Sequence, residues 1–347
     1  MIRVALIGFG GIAKTAHFPS YKKLKEEGIA RLIAIADLSP AALACGTETN
    51  IGAAEAVDTA GIHIYTDPEE MLATEKPDMV DICVPTDQHA AVACAALRAG
   101  CHVLSEKPMS LSYADCLRMI ETAKACGKAL MVAQCLRFSR RYGYLKNAAK
   151  KGIFGRIRGG IFRRLSPPPV WGSENWYMDY ARSHGCILDL HIHDIDMIRW
   201  LCGEPLAASC DTQDIYSKMD IAYSVLRYED FSLLAVGDWS GEGLPFLSDF
   251  RVVFERATIE STGNTVTVSP RGEKPFTLDF SDDDFYESEI RFFIDALAGK
   301  DPKATLAAVN PPESAALSVR LVETLTKSAE ANGAVLPFCG KETETEE

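Results

Sequence analysis

The sequence predicts two domains: an α/β domain with a doubly wound parallel sheet, then an α+β domain on a mostly antiparallel sheet. Three observations predict them. Apolar strand-like runs alternate with helical segments through residue 135. From about residue 136, strand-like segments mostly follow one another directly. The chain has 347 residues, enough for about two domains of ordinary size.

The first domain is predicted over residues 1–135. Arg3 to Gly8 reads as a strand, followed by glycines and a helix toward Glu27. Leu32 to Ala36 and Ile62 to Tyr65 read as strands. A helix opens at Asp67-Pro68-Glu69-Glu70, where a capping side chain, proline at the first helical position and acids in the first turn coincide. Val80 to Val84, His102 to Ser105 and Ala129 to Cys135 read as further strands. Helices fill the gaps at Gln88 to Ala99 and Tyr113 to Cys126, closed by Gly100 and Gly127. Continuous apolar strands separated by helices indicate a parallel sheet covered on both faces.

The second domain is predicted over residues 136–335. Its strands are expected at Arg158 to Leu165, Ser209 to Tyr216, Ile221 to Tyr228, Ser232 to Trp239, Asp249 to Phe254, Ala257 to Thr262 and Thr265 to Ser269. Turn-like breaks at Tyr228-Glu229-Asp230 and Thr262-Gly263-Asn264 suit hairpins. One helix is expected at about Ile187 to Leu201. Two more are expected near Phe285 to Ala298 and Pro312 to Glu330, the last of them packing back on the first domain. Residues 336–347 end in an acidic run with no apolar residue from Lys341 on, the composition of a solvated tail.

Composition narrows the partners. The net charge of −12 disfavours nucleic acid and anionic lipid, which need Lys/Arg footprints. There is no signal-peptide pattern and no apolar run long enough to span a bilayer, so the expected place is the cytoplasm. The eleven cysteines are scattered without a C-x-x-C spacing. Cys83, Cys94, Cys101, Cys126 and Cys135 sit in apolar segments and read as reduced, buried hydrophobes; no metal site is expected.

Gly8-Phe9-Gly10-Gly11-Ile12-Ala13 fits the dinucleotide fingerprint G-x-G-x-x-A. The first glycine permits the tight turn, the second admits a pyrophosphate, and Ala13 lets helix and strand pack closely. Asp37 follows the second strand, at a distance suited to the acid that holds an adenosine ribose. A carboxylate there repels a 2′-phosphate, and Leu38 and Ser39 supply no arginine, so NAD is expected over NADP.

Taken with that turn, "VPTDQH" (Val84 to His89), Glu106-Lys107-Pro108 and "GCILDLHIHDID" (Gly185 to Asp196) make the chain resemble the glucose–fructose oxidoreductase / inositol dehydrogenase (Gfo/Idh/MocA) family. The motifs arrive in order over most of the chain. The resemblance implies a Rossmann domain, an open antiparallel sheet that often forms the subunit interface, and NAD(P)-linked oxidation or reduction of sugars, inositols and related polyols. Carried over by motif, Lys107, Asp189 and His193 are the catalytic set. Pro85, Thr86 and His89 lie along the cofactor near the nicotinamide, with Glu106 and Lys107 beside it. Arg137 falls at the edge of the cleft. Three places depart from the pattern: Ser183-His184-Gly185 replaces a glycine-rich lead-in, His191 stands where glycine is usual, and Ser166 to Trp176 with Pro167-Pro168-Pro169 matches nothing in it.

On a continuous helix, Asp189 and His193 share a face, so the carboxylate orients an imidazole able to take a hydroxyl proton. The alternative for the same pair is a surface ion pair. His191 would point away from His193, as a packed or interface residue. Trp176 and Tyr177 suit the C–H faces of a sugar ring and equally suit a core. Of Arg163 and Arg164, neighbours on a strand, at most one faces a substrate. Lys107 follows a parallel strand, at the end where ligands of such sheets bind. Three functions stand open: an NAD-dependent dehydrogenase, a catalytically silent NAD- or sugar-sensing regulator, and an NAD-dependent glycosidase. A homodimer or homotetramer is expected, because helices suffice for only one face of the second sheet.

Overall fold

The computed structural model describes residues 1–39, 43, 45–50 and 52–340. The acidic run from Lys341 lies outside the described residues. The chain forms two compact units. The first comprises Met1–Cys135, Pro169–Ser183 and Asp284–Ala316; the second comprises Leu136–Pro168, His184–Asp283 and Leu317–Glu347.

In chain order the strands of the first unit are β1 (Ile2–Ile7), β2 (Ala30–Ala36), the hairpin β3 (Thr47–Thr49) and β4 (Gly52–Ala54), β5 (His63–Tyr65), β6 (Met79–Ile82), β7 (His102–Glu106) and β8 (Leu130–Ala133). The main sheet runs β5-β2-β1-β6-β7-β8 and every pairing in it is parallel. Of its strands, β6 and β8 are buried along their whole length and β1 and β7 along all but their first residues. The crossover helices are α1 (Phe18–Glu26), α2 (Pro68–Glu75), α3 (His89–Arg98) and α4 (Tyr113–Ala125). Asp67 caps α2 by accepting the Glu69 N–H at 2.8 Å, with Pro68 at the first helical position.

The chain continues through α5 (Arg140–Lys150) and β9 (Ile157–Leu165) of the second unit, α6 (Tyr180–Ser183) of the first, and α7 (Gly185–Asp189) and α8 (Ile192–Cys202) of the second. There follow β10 (Ala207–Gln213), β11 (Ile221–Arg227), β12 (Ser232–Asp238), β13 (Leu247–Phe254), β14 (Ala257–Thr262), β15 (Thr265–Pro270) and β16 (Phe276–Asp279). Next come α9 (Phe285–Ala298) and α10 (Pro302–Val309) in the first unit, then α11 (Pro312–Glu330) and the short β17 (Leu336–Pro337). The second sheet runs β16-β15-β14-β13-β9-β12-β11-β10-β17, antiparallel throughout except for the β9–β12 pair. This is the architecture predicted: a parallel sheet followed by a mostly antiparallel one.

Three local expectations need correction. The helix expected from Ile187 to Leu201 is two helices, α7 and α8, broken at Leu190 and His191, where two N–H groups share the Cys186 carbonyl. The strand expected to reach Tyr216 stops at Gln213, because the Asp220 carboxylate gathers the N–H groups of Ile215, Tyr216 and Ser217 at 2.6–2.8 Å. The hairpin β3–β4, β16 and α10 had no counterpart in the sequence reading.

One face of the second sheet is covered. Ala222, Ser224 and Leu226 of β11 and Leu233 and Ala235 of β12 are buried, and α7 and α8 pack against these strands. The opposite face carries Tyr223 across from Val236 and Val225 across from Leu234, with Ile161 next to Leu234 on β9. Tyr223 and Leu234 are 49% and 44% exposed, which names the apolar face that the sequence left undecided.

Buried ion pairs hold the covered side. Arg164 of β9 grips Asp194 of α8 with Nε–Oδ2 and Nη2–Oδ1 contacts of 2.9 and 3.1 Å. Burial pushes the Asp194 carboxyl upward, and the guanidinium opposes that shift. Arg164→Met leaves this carboxylate without its partner and is expected to cost about 3–5 kcal/mol in urea unfolding. The double variant Arg164→Met/Asp194→Leu is expected to recover most of that loss; a single variant as stable as the parent would contradict the role given to the pair.

Candidate active site

In the first unit the chain leaves β1 through Gly8, whose φ is +86°. A Cβ there would stand 2.7 Å from the Cys83 carbonyl carbon and oxygen, so only glycine lets this turn approach the end of β6. The buried Phe9 follows, and its N–H donates to Asp37 Oδ2 at 2.7 Å. Ser39 N–H donates to Oδ1 of the same carboxylate at 2.8 Å. Gly10 is exposed, and a Cβ on it would meet nothing within 4 Å. The Asp37 carboxylate is thus fixed beside an open stretch of backbone that precedes a helical segment, which suits a dinucleotide with its pyrophosphate at the turn and its ribose at Asp37. Ile12 is half-buried and Ala13 fully buried, as close helix–strand packing requires.

Two neighbours of this turn were not foreseen. A Cβ on Gly11 would stand 2.7 Å from Thr49 Cγ2 of the β3–β4 hairpin and 3.8 Å from Trp171 Cδ1. The Lys14 ammonium donates to the Cys45 carbonyl at 2.9 Å. The segment that the sequence left unassigned therefore carries Trp171 to the glycine turn. Trp176 and Tyr177 stack on each other at 3.9 Å, Tyr177 meets Trp171 edge-on, and Arg182 pairs with Asp87. Trp176 is buried by this stacking and Tyr177 is half-buried.

At the ends of β6 and β7 the chain places Pro85, Thr86, His89, Glu106 and Lys107. Pro85 is half-buried and Thr86 buried. His89 is buried, with Nδ1 at 2.8 Å from the Pro108 carbonyl and Nε2 at 2.9 Å from that of Val84. Burial pushes its imidazole down although both carbonyls favour the charged ring. His89 ties two strand ends together, which leaves the open positions nearby to its neighbours. The Glu106 carboxylate turns inward to His17 Nε2 at 2.9 Å and accepts from the Lys107 backbone N–H at 3.0 Å. Lys107 is half-buried, and the peptide bond to Pro108 is cis.

In the second unit Gly185 opens α7 with φ +67°, and a Cβ there would stand 2.4 Å from the Lys218 carbonyl. Asp189 is the buried last residue of α7, and His193 is the half-buried second residue of α8. The i,i+4 relation on one helix is therefore replaced by two residues flanking a helix junction. His191, inside that junction, is buried with Nε2 at 2.9 Å from Ser224 Oγ, against Gly237, whose missing side chain makes room for the ring. It is a packing residue. The buried Arg137 guanidinium is bidentate to Asp196 at 2.8 and 2.7 Å, and Ser318 donates to the same carboxylate. Arg163 is committed to Asp249 on β13 at 2.9 and 2.5 Å. Each guanidinium is thus paired with a carboxylate within the unit, Arg137 buried and Arg163 exposed.

Two family profiles match the chain. One, described as "Oxidoreductase family, NAD-binding Rossmann fold", covers residues 2–134, and the other, "GFO/IDH/MocA C-terminal domain", covers residues 142–260. The chain belongs to the Gfo/Idh/MocA family of oxidoreductases, whose first domain is an NAD-binding Rossmann fold. Among curated proteins it is similar to myo-inositol 2-dehydrogenase of Thermotoga maritima, 34% identical over 206 residues, 58% of this chain and 55% of that protein. It is also similar to D-glucoside 3-dehydrogenase of Escherichia coli, 28% identical over 208 residues, 60% of this chain and 56% of that protein. The chain thus spans little more than half the length of these relatives. Among solved structures it shares its fold with the WlbA dehydrogenase from Bordetella pertussis in complex with NADH and UDP-GlcNAcA (TM-score 0.78, 22% identity, 97% of this chain and 99% of that chain). It also shares it with an inositol dehydrogenase homolog complexed with NAD+ from Azotobacter vinelandii (TM-score 0.79, 19% identity, 97% of each chain).

The buried His191 gives a pH signature. Burial, with the Arg164 charge adding to it, pushes its imidazole down to about 3. The unfolded chain protonates the same ring near pH 6.5, so this contribution to stability is full above about 6.5 and is lost as pH falls toward 3. By about pH 4 the loss from this residue is expected to reach roughly 3 kcal/mol. In chemical denaturation, His191→Asn is expected to show a flatter acid limb than the parent; identical limbs would contradict the neutral buried ring.

Proposed function

We propose that the protein is an NAD-dependent dehydrogenase acting on a CH–OH group of a sugar, an inositol or a related polyol. The observation that carries this reading is the Gly8–Ala13 turn, with Asp37 fixed beside it and Gly10 left open. Asp37 favours NAD over NADP, because its carboxylate accepts hydrogen bonds from a ribose diol and repels a 2′-phosphate. When bound, the dinucleotide supplies the hydride-accepting carbon. The chain supplies the proton chemistry. His193 takes the hydroxyl proton as the carbon–hydrogen bond breaks, and Asp189 favours and orients the resulting imidazolium. The Lys107 ammonium stabilises the oxygen as negative charge develops on it. The substrate class rests on the dehydrogenases named above, which are named for inositol and a glucoside.

The open face of the second sheet fits a second copy of the chain. Tyr223, Val225, Leu234, Val236 and Ile161 form an apolar patch that a homodimer or larger homo-oligomer would remove from water. Among the described residues no helix is long and apolar enough to cross a membrane.

Incubated with NAD and a panel of inositols, sugars and sugar acids, the protein is expected to form NADH with at least one member, and faster than it forms NADPH from NADP. Lys107→Met is expected to lower kcat by about a hundredfold or more while NAD affinity stays within a few-fold. Turnover of Lys107→Met near the parental rate would remove this residue from the mechanism. Light scattering at micromolar concentration is expected to give a mass of at least a dimer; a monomer would leave the sheet face without the role given to it.

A further inference from the structure

The first unit buries a set of ionisable groups that neither the fingerprint nor the reaction accounts for. After Ala13 the chain makes one π-helical turn, Ala13–His17, in which Phe18 N–H donates to the Ala13 carbonyl. The wider turn ends on His17, which is fully buried. Its Nδ1 lies 2.7 Å from Asp81 Oδ2 on β6, and its Nε2 lies 2.9 Å from Glu106 Oε1 on β7. With a carboxylate oxygen at each nitrogen, both nitrogens donate, and the ring is an imidazolium. Burial alone would discharge it, but the contacts with Asp81 and then Cys83 together hold its pKa well above the ordinary histidine value.

The other groups around the ring fit this state. Tyr21 of α1 donates to Asp81 Oδ2 at 2.8 Å. The Cys83 sulfur lies 3.6 Å from Nδ1 and 3.8 Å from Asp81 Oδ1, and burial pushes its thiol up to about 12. His17, Asp81 and Cys83 are close enough to surround an ion, but a protonated thiol and a ring already donating at both nitrogens make this a hydrogen-bonded set. Glu289 of α9 is fully buried, and neither of its oxygens finds a hydrogen-bond partner. Burial and then the charge of Glu106 push its carboxyl well upward, so it stays neutral. Burial would also raise Glu106, but the contacts with His17 and then the charge of Lys107 hold it below the usual carboxylate value. With Glu289 neutral, the imidazolium and the lysine balance the two carboxylates.

Glu106 is therefore held at both ends: Oε1 by the ring, and Oε2 by the backbone N–H of Lys107 at 3.0 Å. We propose that His17 is a positioning residue, which fixes the Glu106 carboxylate and through it the place of Lys107 at the end of β7. The proposal rests on the dehydrogenase reading only where it concerns turnover. His17→Gln keeps one hydrogen bond and removes the charge, leaving two buried carboxylates without it.

Two measurements on the full chain test this. In nitrogen NMR of the histidine-labelled protein near pH 8, one imidazole, absent from His17→Gln, is expected to be protonated at both nitrogens, where an ordinary histidine is neutral. In NAD-linked polyol oxidation, His17→Gln is expected to lower kcat by about tenfold or more with NAD affinity within about threefold of the parent. Should His17→Gln fail to fold, Glu106→Asp, which keeps the charge but shortens its reach, is expected to show the same split. A neutral His17 ring at pH 8 would overturn the proposal, as would parental kcat in the variants. If no polyol is oxidised at all, the NMR result still decides the state of the ring, and the failure belongs to the dehydrogenase reading.

Discussion

An imidazole ring joins the carboxyl ends of two neighbouring parallel strands in the first unit. His17 reaches Asp81 on β6 and Glu106 on β7, and it arrives there because the helix after the glycine turn begins with a widened turn. The same strand ends are tied a second time by His89, which bridges the carbonyls of Val84 and Pro108. Gly8, at the end of β1 on the other side of β6, packs its backbone against Cys83. The cofactor turn, the segment from Val84 to His89 and the Glu106-Lys107-Pro108 segment are thus one mechanically connected group. Removing water from these contacts makes each charge pair stronger and each unpaired charge more costly. Glu106 at the end of β7 is thus one half of a buried pair with His17.

The second unit uses the same device differently. Arg137 with Asp196 and Arg164 with Asp194 tie the turn before α5 and β9 to α8 by buried charge pairs, and Arg199 of α8 pairs with the exposed Glu204. Breaking such a pair is expensive, although its formation contributes little net stability. These pairs set the position of α8, and His193 is carried on its first turn. The residues assigned to proton transfer are therefore positioned by charges that take no part in it.

How much of this was legible follows from the range of each contact. The Gly8–Ala13 turn, the Asp67 cap and the alternation of strands and helices are local patterns, and the sequence states them directly. Lys107, Asp189 and His193 came from motif resemblance, which carries their identity but not their surroundings. The break between α7 and α8 was hidden because no glycine or proline marks it: it lies at Leu190 and His191, whose N–H groups share the Cys186 carbonyl. The acidic partners of Arg137 and Arg163 were not legible, because Asp196 and Asp249 lie 59 and 86 residues away. His17 gave no signal for the same reason, since its two carboxylates are 64 and 89 residues distant. The hairpin β3–β4 is short and largely exposed, so it lacks the apolar periodicity on which strand prediction relies.

The central claim is that hydride passes between a polyol carbon and the nicotinamide of a dinucleotide whose pyrophosphate is held at the Gly8–Ala13 turn. It is tested most directly with a substrate deuterated at the reacting carbon, incubated with NAD and the protein, followed by mass and proton spectra of the reduced cofactor. The account predicts one deuterium per reduced nicotinamide, carried on the ring carbon that accepts hydride, and a carbonyl at the former CH–OH carbon. A reduced cofactor without the label, or a processed polyol whose deuterium is lost to water, would contradict it.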